Sequence, residues 1–118
     1  MIRHKRETFT RGDAWRIAGT LYDHDGNPMV LPDGCIIEWA MMDATRTNVI
    51  TASNVDGSIT IADATEGAIN VIIPADKTDI TPGSYSDALR LTIGGQPETM
   101  WTGAITVEDS PFVGRSST

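Results

Sequence analysis

The sequence has few of the residues on which many classes of protein depend. It contains one cysteine and two histidines among 118 residues, and no apolar run approaches the ~20 residues of a membrane-spanning helix. A single cysteine excludes an internal disulfide framework and a multi-cysteine zinc site. The basic start of the chain is not followed by an apolar stretch, so it does not predict a secretory signal. We expect no membrane partner.

Positive charge is scarce and is concentrated at the start of the chain. Residues 1–16 carry five basic and two acidic side chains, whereas residues 17–118 carry four basic and fourteen acidic ones. The acidic body repels nucleic acid over most of its surface. We expect residues 1–7 to form a basic arm that docks on an acidic neighbouring protein through Arg3, Lys5 and Arg6. A solvated terminus is the alternative.

Apolar and polar residues alternate with a period of two along most of the chain, as in the run from Trp15 to Leu21. This pattern predicts strands with one buried face. Turn residues separate the runs at intervals of 8–12 residues, which predicts an all-β, antiparallel immunoglobulin-like β-sandwich of 7–8 strands. One short helical turn is expected near residues 75–80. The predicted strands are 5–10, 14–22, 35–43, 47–52, 58–62, 67–73, 84–94 and 98–107.

The expected sandwich domain spans residues 8–107, and residues 108–118 are expected to form a C-terminal tail. Tyr85 follows a Pro-Gly turn at the entry of a strand, a position typical of a tyrosine corner, in which the hydroxyl bonds the backbone. Trp39 is the expected central aromatic residue. The residues expected in the structural core are Trp15, Trp39, Tyr85, Leu89 and Leu91.

The candidates for chemistry are weak. Cys35 lies in an inward-facing set, which favours a buried, inert thiol. A nucleophilic cysteine would need a base nearby. His4 lies in the arm and His24 in a turn, so neither is expected close to Cys35. The run Asp23–Asn27 has the carboxylate spacing of a calcium loop, but a β-turn explains it fully. A second acidic patch could include Asp56, Asp63 and Glu66, but their position in solvated loops explains them.

The tripeptide Arg11-Gly12-Asp13 matches the motif that integrins read, although a turn between the first two strands accounts for it. The sequence has no phosphate-cradling glycine loop and no nucleophile–base–acid set. We therefore expect no enzyme, no cofactor, no bound metal and no small-molecule substrate.

The order of these segments resembles a known family. Phe9–Trp15 leads into a strand, Tyr22–Pro28 forms a turn, Gly67–Pro74 precedes Ile80–Tyr85, and a glycine hairpin joins the last strands before Gly103–Val107. Over residues 8–107 the chain is similar to the small immunoglobulin-like domains of tailed-bacteriophage virions, in particular the N-terminal domain of the baseplate upper protein.

The resemblance implies a virion structural protein, assembled in the bacterial host cytoplasm and present in multiple copies in a symmetric assembly. Because the chain ends just after the domain, we expect an adaptor or decoration subunit that binds tail, baseplate, neck or capsid proteins through strand edges and termini. Phe112 and Val113 are the expected apolar anchor in the tail. One alternative is a carbohydrate-binding module that uses exposed Trp101 or Tyr22, and another is an accessory domain of an enzyme.

Overall fold

The computed structural model describes residues 3–111, with side chains from residue 7 onward. Its regular structure is β apart from one turn of 3-10 helix, Ala75–Lys77, which confirms the short helical turn. The strands are β1 (Arg3–Thr10), β2 (Trp15–Thr20), β3 (Ile36–Met42), β4 (Asn48–Ser53), β5 (Ile59–Asp63), β6 (Ala68–Ile73), β7 (Gly83–Ile93) and β8 (Gln96–Glu108).

The strands form two sheets that pack as a sandwich. One sheet has five strands in the order β1-β8-β7-β3-β4, and the other has three in the order β2-β6-β5. Neighbouring strands are antiparallel except for β1, which pairs in parallel with β8. This division of strands is that of an immunoglobulin-like sandwich. The predicted fold class is confirmed.

The core lies between the two sheets and follows the predicted alternation. Trp15 and Trp39 are each 1% exposed, and Leu89 and Leu91 are fully buried beside them. Tyr85 is half-buried; its ring packs against this cluster and its hydroxyl donates a hydrogen bond to the carbonyl of Thr81. That bond is the one expected of a tyrosine corner.

The basic segment belongs to the sandwich, which corrects the expected boundary between an arm and residue 8. The backbone of Arg3–Glu7 lies in β1, with Arg3 opposite Trp101 and Glu7 opposite Ile105. The physical reason is the length of β8, which runs for 13 residues. Without β1, one side of this long strand would present unpaired backbone groups.

Glycines shape two of the connections between strands. Gly94 and Gly95 have φ of 58° and 79°, which suits a two-residue hairpin turn between β7 and β8. Gly67 has φ of 66°, and a Cβ there would lie 2.6 Å from the carbonyl oxygen of Leu21 and 2.7 Å from that of Met29. The loop after β2 therefore packs directly on the backbone at Gly67.

Candidate interaction surfaces

One side of the five-stranded sheet faces away from the core, and we call part of it the broad face. Its members are ten of the outward residues of β3, β4, β7 and β8: Glu38, Ala40, Met42, Thr51, Ser53, Ser86, Ala88, Arg90, Thr99 and Thr102. A shallow concavity of about 510 Å³ lies over it. Small side chains line most of this concavity, together with the charged side chains of Glu38, Asp56 and Arg90.

The charged pair on the broad face is Glu38 with Arg90. Arg90 Nη2 lies 2.8 Å from Glu38 Oε1, and Arg90 Nε donates to the same oxygen at 3.2 Å. The two side chains are 43% and 53% exposed, so the pair is open to solvent and to a partner. Sequence reasoning missed this pair because it depends on the register of β3 against β7.

The residues predicted to bind partners fall in two places. The backbone of Arg3, Lys5 and Arg6 lies in β1, at an edge of the five-stranded sheet. Phe112 and Val113 lie outside the described residues. The structure therefore places the basic residues on a sheet edge and leaves the proposed apolar anchor as a prediction.

Asp87 is a carboxylate inside the core that sequence reasoning did not single out. It is 6% exposed, and its Oδ2 accepts hydrogen bonds from Trp39 Nε1 at 2.8 Å and from Trp101 Nε1 at 3.3 Å. It contacts indoles on both neighbouring strands, so it fixes the orientation of two core aromatics. The sequence carried one signal of this burial, because Asp87 occupies the inward position between Tyr85 and Leu89 in the alternating pattern.

The expectation that Trp101 offers an exposed sugar platform is wrong. Its side chain is only 2% exposed. The pairing of β7 with β8 shifts by one residue next to Leu89, so Met100 and Trp101 both turn inward. Tyr22, the other candidate, is half-buried and pairs with Pro28 across its turn.

Cys35 is 6% exposed, and burial raises the pKa of its thiol, with the negative charge of Asp33 adding to the effect. A thiol held in its neutral form is a poor nucleophile. The contact that the structure gives for His24 is with Glu98, whose Oε2 lies 3.2 Å from His24 Nε2. The buried-thiol interpretation fits this environment.

The acidic loops use their carboxylates to bind their own backbone. Asp23 Oδ1 accepts hydrogen bonds from the N–H groups of Asp25 and Asn27, each at 2.9 Å. Asp63 accepts from the hydroxyl and the N–H of Thr65. These are turn contacts. Among the residues with described side chains, no three metal-binding groups come together.

Arg11 and Asp13 belong to a turn held by the surrounding structure. Arg11 Nε donates to Asp79 Oδ1 at 2.7 Å, and the hydroxyl of Thr78 donates to the carbonyl of Asp13 at 2.7 Å. Gly12 has φ of 82°, as the turn interpretation requires. The guanidinium is thus engaged within the chain.

In the comparisons with known proteins, this chain is similar only to solved structures. No family model matches the sequence, and neither does any curated protein. The chain is similar to CopC from Methylosinus trichosporium OB3b, with a TM-score of 0.42 and 13% identity over 81% of this chain and 94% of CopC. It is also similar to the NK cell receptor Nkp44, with a TM-score of 0.42 and 12% identity over 93% of this chain and 99% of the receptor. In the part of the chain that the structure describes, no helix is long and apolar enough to cross a membrane.

Proposed function

We propose that this chain is a non-catalytic structural subunit of a tailed-bacteriophage virion, an adaptor or decoration protein that binds other virion proteins. The phage assignment rests on the sequence resemblance over residues 8–107. The observation that carries the binding role is the position of the most basic segment, in a strand at the edge of the larger sheet. Its partners are tail, baseplate, neck or capsid proteins in multiple copies.

An edge strand is suited to this role because its outer backbone groups are open to another strand. Strand β1 brings Arg3, Lys5 and Arg6 to the edge of a protein with a net charge of −7. Opposite charges across an interface favour encounter and suppress wrong partners. The partner we expect therefore presents an acidic strand or an acidic surface beside one of its own sheet edges.

The first experiment is mass spectrometry of purified particles, in which this polypeptide is expected at fixed stoichiometry. The second neutralises the edge with Arg3→Gln, Lys5→Gln and Arg6→Gln, which removes three charges and leaves the strand intact. Each exposed ion pair contributes about 0.2–1 kcal/mol, so incorporation should fall roughly tenfold. Deletion of residues 1–6 is less suitable, since it removes half of β1.

The matched control carries Arg16→Gln, Arg46→Gln and Lys77→Gln, which also removes three exposed positive charges but leaves β1 unchanged. It should incorporate like the unaltered chain. Particles without this polypeptide would contradict the virion assignment. Normal incorporation of the triple variant would contradict the binding role of β1 but not the virion assignment.

A further inference from the structure

The hydrogen bonds at the end of β1 show which of its backbone groups point towards β8 and which point away. The N–H of Arg11, directly after the strand, donates to the carbonyl of Glu108 at 2.8 Å, so it points towards β8. The carbonyl of Thr10 points the other way, because it accepts hydrogen bonds from Trp15 Nε1 at 2.8 Å and from the N–H of Asp13 at 3.2 Å. Along a strand, the backbone groups of successive residues alternate between its two edges.

This alternation continues along the whole of β1, because its register with β8 is unbroken over Arg3–Thr10. The odd-numbered residues therefore bond to β8, and the even-numbered ones direct their N–H and C=O groups to the outer edge. Thr10 closes this edge, since its carbonyl is already used. In the described chain β1 is the last strand of its sheet, so three residues offer backbone groups to another strand: His4, Arg6 and Thr8.

The other edge strands are less suited to pairing. Strands β2, β4 and β5 have six, six and five residues, whereas β1 has eight. The register shifts beside Met42 where β3 pairs with β4, and beside Asp63 in β5, and such irregularities hinder the addition of a strand. In β4 the N–H of Ser53 also donates to the hydroxyl oxygen of Ser58 at 3.2 Å. Strand β1 is thus the longest edge with an unbroken register.

We propose that an extended acidic strand of another virion protein pairs with β1 and becomes the sixth strand of the larger sheet, held by backbone hydrogen bonds to His4, Arg6 and Thr8. The inference rests on the proposed function and narrows its partner from an acidic surface to a strand. In this mode of recognition the backbone bonds supply affinity, and side chains of the added strand supply specificity.

Charge distinguishes a different protein from a second copy of this chain. Strand β1 carries three positive charges, Arg3, Lys5 and Arg6, and one negative charge, Glu7, which gives 3 − 1 = +2. Two copies that paired β1 with β1 would bring these like charges together, which is destabilising. An acidic strand brings opposite charges together instead. Its acidic residues are expected opposite residues 3–6, and an uncharged residue is expected opposite Thr8.

The test separates backbone pairing from charge. Thr8→Pro removes one outward N–H and keeps every charge of β1, and an edge strand tolerates proline where the missing N–H faces outward. Incorporation into particles, measured by mass spectrometry in competition with the unaltered chain, should fall at least roughly tenfold. The reason is that a carbonyl of the partner loses its donor and the proline ring blocks the approach of its strand.

Thr51→Pro is the matched control, because it makes the same exchange on β4, the opposite edge of the same sheet. The N–H of Asn54 donates to the carbonyl of Ile37 at 3.1 Å, and the alternation then directs the N–H of Thr51 outward. This variant should incorporate like the unaltered chain. Circular dichroism and thermal unfolding should show that both proline variants are folded.

Amide hydrogen exchange gives a readout that needs no variant. In the purified chain the N–H groups of His4, Arg6 and Thr8 should exchange at least roughly tenfold faster than those of their odd-numbered neighbours, and in particles they should be protected. Exchange without this alternation, or no protection in particles, would overturn the inference.

The outcomes also distinguish the inference from the proposed function. Particles without this polypeptide would contradict the proposed function and the inference with it. Normal incorporation of Thr8→Pro would overturn strand pairing and leave the virion role standing, with charge alone as the basis of docking. An equal loss from Thr51→Pro would overturn strand pairing at β1 as well.

Discussion

The two sides of β3 and β7 show how one pair of strands serves two purposes. Towards the core, Trp39 and Leu89 are buried, with Asp87 bonded to the indole of Trp39. Away from it, Glu38 and Arg90 form an ion pair open to solvent. Residues adjacent in sequence point to opposite faces, so substitutions at neighbouring positions should have very different effects on stability. The inner side should determine stability, and the outer side should contribute little to it.

The largest expected contrast is between Leu89→Ala and Arg90→Ala. Leu89 is 0% exposed, so its truncation leaves a cavity and should lower the free energy of unfolding by about 2–5 kcal/mol. Arg90→Ala removes one exposed ion pair and should cost less than about 1 kcal/mol. Urea denaturation of both variants measures the difference. Equal losses in the free energy of unfolding would show that the inner and outer sides do not differ in their contribution to stability.

A smaller effect is expected from Asp87→Ala. The substitution removes the acceptor of Trp39 Nε1, and a buried donor without a partner costs about 1–3 kcal/mol. Tryptophan fluorescence of the folded protein should also change, because the indole environment changes. Asp33→Ala, at an exposed turn position, is the control and should alter neither property. A stable variant with unchanged emission would contradict the role assigned to Asp87.

The smallest effect concerns exposed carboxylates in the loops. Hydrogen bonds from a hydroxyl two residues later are the main cause that lowers the pKa of Asp43, Asp56 and Asp63 below the ordinary 3.8. A lowered folded-state pKa contributes stability that is present above the ordinary value and is lost as pH falls through the folded-state value. Stability should therefore decline further below about pH 3.8 because of these groups.

The triple change Asp43→Asn, Asp56→Asn and Asp63→Asn keeps an acceptor oxygen at each turn and removes the titration. Denaturation midpoints at neutral pH and at pH below the ordinary carboxyl pKa measure its effect. The variant should lose less stability on acidification than the unaltered chain. An identical loss in both proteins would exclude these loops as a source of the acid sensitivity.

The local features of the fold were predictable from the sequence because they depend on short-range rules. Alternation distinguished buried Trp39 and Leu89 from outward Glu38 and Arg90. The Gly94-Gly95 pair indicated the hairpin, and the Pro-Gly turn before Tyr85 indicated the corner. In each case a few adjacent residues determine the backbone conformation or the face of the sheet to which the side chain points.

Features that join distant segments were not predictable in the same way. The pairing of Arg3 with Trp101 links the two ends of the described chain, and the sequence pattern of β1 does not show which strand it will join. The one-residue shift beside Leu89 turns Met100 inward together with Trp101. The ion pair of Glu38 with Arg90 depends on inter-strand register, which alternation alone leaves open.

The parallel pairing of β1 with β8 has a consequence for the order of events during synthesis. Strand β1 is made first, yet its neighbour in the sheet is complete only when Glu108 has emerged from the ribosome. Contacts between such distant segments form late in folding, after the nearer ones have reduced the entropy of the chain. A partner that recognises β1 in its paired form would therefore bind only chains whose β8 has already been synthesised.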